Sequence, residues 1–113
     1  MGRQLVSRAW VEQATRNQVP TALGVILDKS RQIDGRGCYG YSWWVNGVRP
    51  DGSRKYPDAP SSMYWASGYN NNVCFVIPDW SMVIVRTGMS GSPNNVEEIW
   101  NTFFKNLGAG QTG

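Results

Sequence analysis

A chain of 113 residues has room for one small domain, residues 1–113, and its 41% hydrophobic content with six Trp, five Tyr and three Phe excludes a disordered chain. The net charge of +3 comes from Lys and Arg spread thinly along the sequence, without the dense basic stripe of a nucleic-acid binder, so nucleic acid is not an expected partner. No apolar stretch approaches the roughly 20 residues that cross a bilayer, and with no histidine and two distant cysteines, Cys38 and Cys74, neither a metal site nor a cofactor is expected.

Ser7 is a plausible N-cap, and Trp10, Val11 and Ala14 recur at helical spacing, which predicts a short amphipathic helix from Arg8 to Thr15. From Arg16 to Gly37 the pattern breaks around Pro20, Gly24, Gly35 and Gly37, leaving a connector with one short strand at Leu23-Gly24-Val25-Ile26-Leu27. Cys38 to Val45 alternates, with Tyr39, Tyr41, Trp43 and Val45 on one side, and reads as a strand. Asn46 to Ser62 holds three prolines, two glycines and five charged residues and reads as an exposed loop.

Three short strands follow at Met63 to Ser67, Val73 to Ile77 and Met82 to Arg86, joined by segments rich in turn formers, which predicts an antiparallel meander. The last element is a helix from Asn95 to Leu107, opened by Asn94 with Glu97 three residues on, and closed by Gly108. Its apolar positions Ile99, Trp100 and Phe103 are expected to meet the sheet. The expected class is α+β, a small antiparallel sheet of about four strands with the N- and C-terminal helices packed on one face.

Nucleophilic hydrolysis needs a serine or cysteine whose proton a nearby base can take, and without histidine the usual base is missing. The lysine alternative places Ser and Lys one helical turn apart as Ser-x-x-Lys, and no such pattern occurs. The look-alike Thr102-Phe103-Phe104-Lys105 lies inside the structural helix. Glu97 and Glu98 complement a helix dipole, Asp51 and Asp58 lie in the polar loop, and Gly88-Met89-Ser90-Gly91-Ser92 lacks the lysine of a phosphate-binding loop. No catalytic residue is assigned. Cys38 and Cys74 fit small apolar strand residues better than a disulfide pair.

The order and spacing of Tyr39-Gly40-Tyr41-Ser42-Trp43-Trp44-Val45, then Trp65-Ala66-Ser67-Gly68, then Val76-Ile77-Pro78-Asp79, then Met82-Val83-Ile84-Val85-Arg86-Thr87-Gly88 resemble the carboxy-terminal segment of the serine β-lactamase-like family, which includes class C β-lactamases, esterases and penicillin-binding proteins. The resemblance covers nearly the whole chain and implies a partial β-lactamase-like fold. It also implies that Ala66, Ser67, Gly68 and Tyr69 line a substrate groove, Ser67 facing the substrate and the Tyr69 N–H supplying half of an oxyanion hole. The family's nucleophile helix and its Tyr-x-Asn element belong to a region before the segment matched here. The implied function is therefore a non-catalytic segment of a serine hydrolase; the alternative is a stand-alone aromatic-rich binding module for a small ligand, sugar or peptide. Expected partners are a second copy of the chain, giving a homo-oligomer, or an upstream hydrolase segment, together with a small-molecule ligand. The location reads as cytoplasmic if Met1 is the natural start, and periplasmic or secreted if sequence precedes it.

Overall fold

A computed structural model of the chain describes residues 2–24, 33–89, 91 and 93–111. Alternating apolar residues form three antiparallel strands, β2 (Tyr64–Gly68), β3 (Asn72–Ile77) and β4 (Met82–Arg86), and a two-residue strand β1 (Trp44–Val45) adds to the outer edge of β2. The sheet order is β1-β2-β3-β4, a meander within a small α+β fold. The register pairs Trp44 with Trp65, Trp65 with Phe75 and Phe75 with Ile84, so one face of the sheet carries a continuous row of large apolar side chains.

Both tight connections use left-handed residues. In the β2–β3 hairpin, Asn70 and Asn71 have φ of 57° and 58°, a region that asparagine tolerates better than most residues, and the Asn72 N–H closes the turn on the Tyr69 carbonyl. Between β3 and β4, Pro78 opens a single turn that ends at Ser81 with φ 49°.

Helix α1 (Arg8–Ala14) is capped as its sequence predicts, the Ser7 hydroxyl accepting the Trp10 N–H at 3.2 Å. It packs on the segment before β1: the Trp10 and Tyr41 rings lie 5.9 Å apart, and the Ala14 carbonyl accepts the Tyr41 N–H at 2.9 Å. Helix α2 (Val96–Gln111) covers the Phe75 face of the sheet.

Five expectations need correction. The aromatic run from Cys38 to Val45 is not one strand: Tyr39 bridges Trp44, and the chain reverses between them with Ser42 at φ 60°. Period-two spacing here belongs to two arms of a tight turn. The loop from Asn46 to Ser62 has no regular element, yet it is not simply exposed, because Tyr56 and Ala59 enter the core and Asn46 is fully buried. The Asn46 amide donates to the carbonyls of Tyr56, Ala59 and Pro60 at 2.8, 3.3 and 3.2 Å and accepts the Tyr56 N–H at 3.2 Å.

Helix α2 meets the sheet through Trp100 and Phe104, not through Ile99 and Phe103. Phe104 has no exposed surface whereas Phe103 is 42% exposed, and the Phe75 ring lies 4.8 Å from Trp100 and 5.0 Å from Phe104. Gly108, one further turn along this stripe, lies within the helix rather than after it, and a Cβ there would come within 3.0 Å of the Trp80 ring. The helix begins at Val96, so Asn94 sits in the preceding turn and does not occupy the cap position. The short strand expected at Leu23 to Leu27 falls largely outside the described residues. Cys38 and Cys74 are both free, Cys38 buried in a turn and Cys74 within β3.

Candidate functional site

Two loops cross tightly beside β1 and open a cleft there. Gly37 has φ 77° and lies against Gly47 and Val48 so closely that a Cβ on it would fall on the Val48 carbonyl, while one on Gly47 would fall on the Gly37 carbonyl. Only glycine permits this approach. The crossing sets Arg36 and Cys38 beside Arg49. A turn follows, in which the Arg49 N–H donates to the Ser53 carbonyl and the Gly52 N–H to the Arg49 carbonyl, both at 2.9 Å. Asn46 then draws Tyr56 inward, and Lys55 is carried with it.

The cleft has a volume of about 640 Å³, within the ordinary range for small-molecule sites. Trp44 of β1, Trp65 of β2, Lys55, Arg49, Arg36 and, from the first turn of α2, Glu97 are among its lining residues. The indoles of Trp44 and Trp65 are nearly parallel, at 16° with centroids 6.5 Å apart. The Lys55 ammonium stands 5.9, 5.7 and 5.8 Å from the ring centroids of Trp44, Tyr56 and Trp65.

Charges around the cleft are unevenly matched. Asp34 and Arg36 form a bidentate pair with a closest approach of 2.7 Å, which holds the Asp34 carboxyl at about 2. Arg49 contacts Glu97 through a single Nη2 to Oε1 contact of 3.1 Å. Asp51 accepts from the Ser53 N–H and hydroxyl, which lower its carboxyl. Among the described residues Lys55 has no carboxylate partner. Burial pushes its ammonium below the ordinary value of 10.5, and the Arg49 charge acts in the same direction, while Glu97 opposes both. The three ring faces also favour the charged form, by about 0.5–2 kcal/mol for a cation over an aromatic ring. Burial likewise raises the Cys38 thiol and the Tyr56 hydroxyl.

Ala66, Ser67, Gly68 and Tyr69 lie together at the far end of β2 and in the hairpin after it, all exposed. Ala66, Ser67 and Gly68 pair with Cys74, Val73 and Asn72 of β3, and β1 does not extend past Trp65, so among the described residues no strand pairs with the outer edge of β2 along Ala66 to Gly68. None of the four lines the cleft; their neighbour Trp65 does. Sequence reasoning missed Lys55 because a lysine amid prolines and charges looks solvated. The available signal was its position beside Tyr56 in a chain with six tryptophans.

Among the described residues, no group of three or more His, Cys, Asp or Glu gathers in a way that could hold a metal ion. No described helix is long and apolar enough to cross a membrane. Compared with known proteins, the chain matches no family model, no curated protein and no solved structure.

Proposed function

We propose that the chain is a small-molecule binding module whose cleft takes a planar apolar ligand carrying a carboxylate. The observation that carries this reading is Lys55, a largely buried ammonium facing an open cleft with aromatic rings around it and no carboxylate partner among the described residues. An incoming carboxylate supplies the missing counter-charge, and the half-buried Trp44 offers a ring for the ligand's apolar part. Calorimetric titration with naphthoate and with neutral naphthamide tests it. A charge-assisted hydrogen bond contributes about 1.5–3 kcal/mol, so naphthoate should bind roughly 10- to 100-fold tighter than the amide, and Lys55→Met should remove the difference. Equal binding of acid and amide would sink the reading.

A second reading rests on the uncovered edge of β2. A segment of a serine β-lactamase-like hydrolase would use Ala66, Ser67, Gly68 and Tyr69 as one wall of its groove, and their shared exposure beside an unpaired strand edge supports that assignment. Such an edge leaves backbone groups available to a ligand. This reading gives the isolated chain no turnover, since the attacking group would come from another segment. It is tested by adding a phosphonate ester analogue: line broadening of the Ser67 and Tyr69 amides supports it, and no response counts against it.

For the partner we infer a second copy of this chain, packed on the sheet face opposite α2. Tyr64, Ala66, Cys74, Val76, Val83 and Val85 alternate onto that face, with Val83 and Val85 61% and 62% exposed. It adjoins β4, whose outer edge has no partner strand among the described residues. An apolar face next to a free edge favours association. Sedimentation should detect dimer at high micromolar concentration and monomer for Val85→Lys; wild-type protein that stays monomeric would exclude self-association.

A further inference from the structure

Resting on the reading of the cleft as a site for planar carboxylates, the geometry points to Lys55 as a reactive amine that captures aryl aldehydes bearing a carboxylate as imines: the aldehyde takes the place at Lys55 that a simple ligand's carboxylate takes, Arg49 holds the carboxylate at the other end, and Trp44 flanks the aryl ring. A lysine becomes a nucleophile only as the neutral amine, and proteins obtain that form by withdrawing the group from water and placing other cations nearby. Both conditions hold here. Lys55 is enclosed by the rings of Trp44, Tyr56 and Trp65, and it shares the cleft with Arg36 and Arg49. The lowered basicity of Lys55 agrees with this environment.

The two arginines differ in what they can offer a ligand. Arg36 is committed through Nε and Nη2 to Asp34 and through Nη1 to the Leu23 carbonyl. Arg49 spends one Nη2 contact on Glu97 and leaves other donors of its guanidinium fork for a carboxylate. Arg49 and Lys55 line the same cleft, which lets a ligand with its carboxylate on Arg49 turn its other end to the Lys55 amine.

The chemistry balances without a further reagent. The ammonium first releases its proton to solvent. The amine lone pair then attacks the carbonyl carbon, a C–N bond forms, and the carbonyl oxygen takes up a proton to give a carbinolamine. Loss of water from that adduct leaves the imine, the amine having given up its remaining two hydrogens and the aldehyde its oxygen.

The chain contains its own control, because only Lys29, Lys55 and Lys105 carry side-chain amines and Lys105 is exposed on α2. The native protein is incubated near neutral pH with para-formylbenzoate and cyanoborohydride, which reduces the imine to a stable secondary amine, and the labelled peptides are quantified by mass spectrometry. Lys55 should be labelled faster than Lys105, since its lowered basicity raises the free-amine fraction. The preference should fall when benzaldehyde replaces the carboxylate probe, and in Arg49→Gln. Labelling of Lys55 no faster than Lys105, or equal labelling by benzaldehyde, overturns the proposal. Calorimetry with unreactive benzoate separates the two levels: benzoate binding without an adduct at Lys55 rejects the imine and keeps the carboxylate site, whereas neither binding nor adduct rejects both.

Discussion

Asn46→Ala removes a fully buried side chain that ties the 46–62 loop into the core through backbone partners on several sides. The amide carries two hydrogens and serves three carbonyls, at 2.8, 3.3 and 3.2 Å, so one hydrogen is shared. Alanine leaves the Ala59 carbonyl and the Tyr56 N–H without their partner at a site with no solvent exposure, whereas the Tyr56 and Pro60 carbonyls keep the N–H groups of Ala59 and Met63. Each of these two unsatisfied buried groups costs about 1–3 kcal/mol, and water entering the vacated space recovers part of it, so the expected loss is about 2–4 kcal/mol. That is a large share of the roughly 5–15 kcal/mol by which domains are stable. Urea unfolding followed by tryptophan fluorescence measures it. Asn46→Asp should be comparably harmful and pH-sensitive. The buried carboxyl would have a raised folded-state pKa, so stability is present below the unfolded value of about 3.9 and is lost as pH rises through that of the folded state. A loss below about 1 kcal/mol for Asn46→Ala would refute the idea that this amide organises the loop.

Further tests separate the elements from one another. Phe104→Ala should cost about 3–5 kcal/mol and Phe103→Ala less than about 1 kcal/mol, measured by the same unfolding assay; the reverse order would rotate the helix by one residue. Naphthoate affinity should fall as pH rises through the depressed value of Lys55, below 10.5, with proton uptake on binding detectable in buffers of different ionisation enthalpy. Folding stability should rise with pH between that value and 10.5, because the unfolded chain holds the extra proton there, and Lys55→Met should abolish the rise. The chain should hydrolyse neither a chromogenic cephalosporin nor a nitrophenyl ester above background; turnover abolished by Ser67→Ala would make Ser67 a nucleophile.

The strands β2, β3 and β4 were legible because alternating apolar runs are bounded by Asn, Gly and Pro, and local sequence and final pairing agree. The existence of α2 was legible for the same reason. Its buried face was not, since adjacent Phe103 and Phe104 both satisfy an apolar stripe and only the fit against Phe75 chooses between them. The reversal at Ser42 was hidden because a serine at positive φ leaves no glycine signal. Buried Asn46 was hidden because its partners are carbonyls, which carry no side-chain signature. The same holds for the cleft: Arg36, Trp44, Lys55, Trp65 and Glu97 come from separate elements, and the Gly37–Gly47 crossing that gathers them is a long-range contact.

The carboxylate site is tested most directly by the six tryptophan indole N–H signals in proton–nitrogen correlation spectra of isotope-labelled protein. On titration with naphthoate, the Trp44 and Trp65 signals should shift in saturable fashion, those of Trp10 on α1 and Trp80 beyond β3 should stay, and Lys55→Met should suppress the response. Shifts at Trp10 or Trp80 with Trp44 and Trp65 unmoved, or an equal response to naphthamide, would contradict a carboxylate site at Lys55.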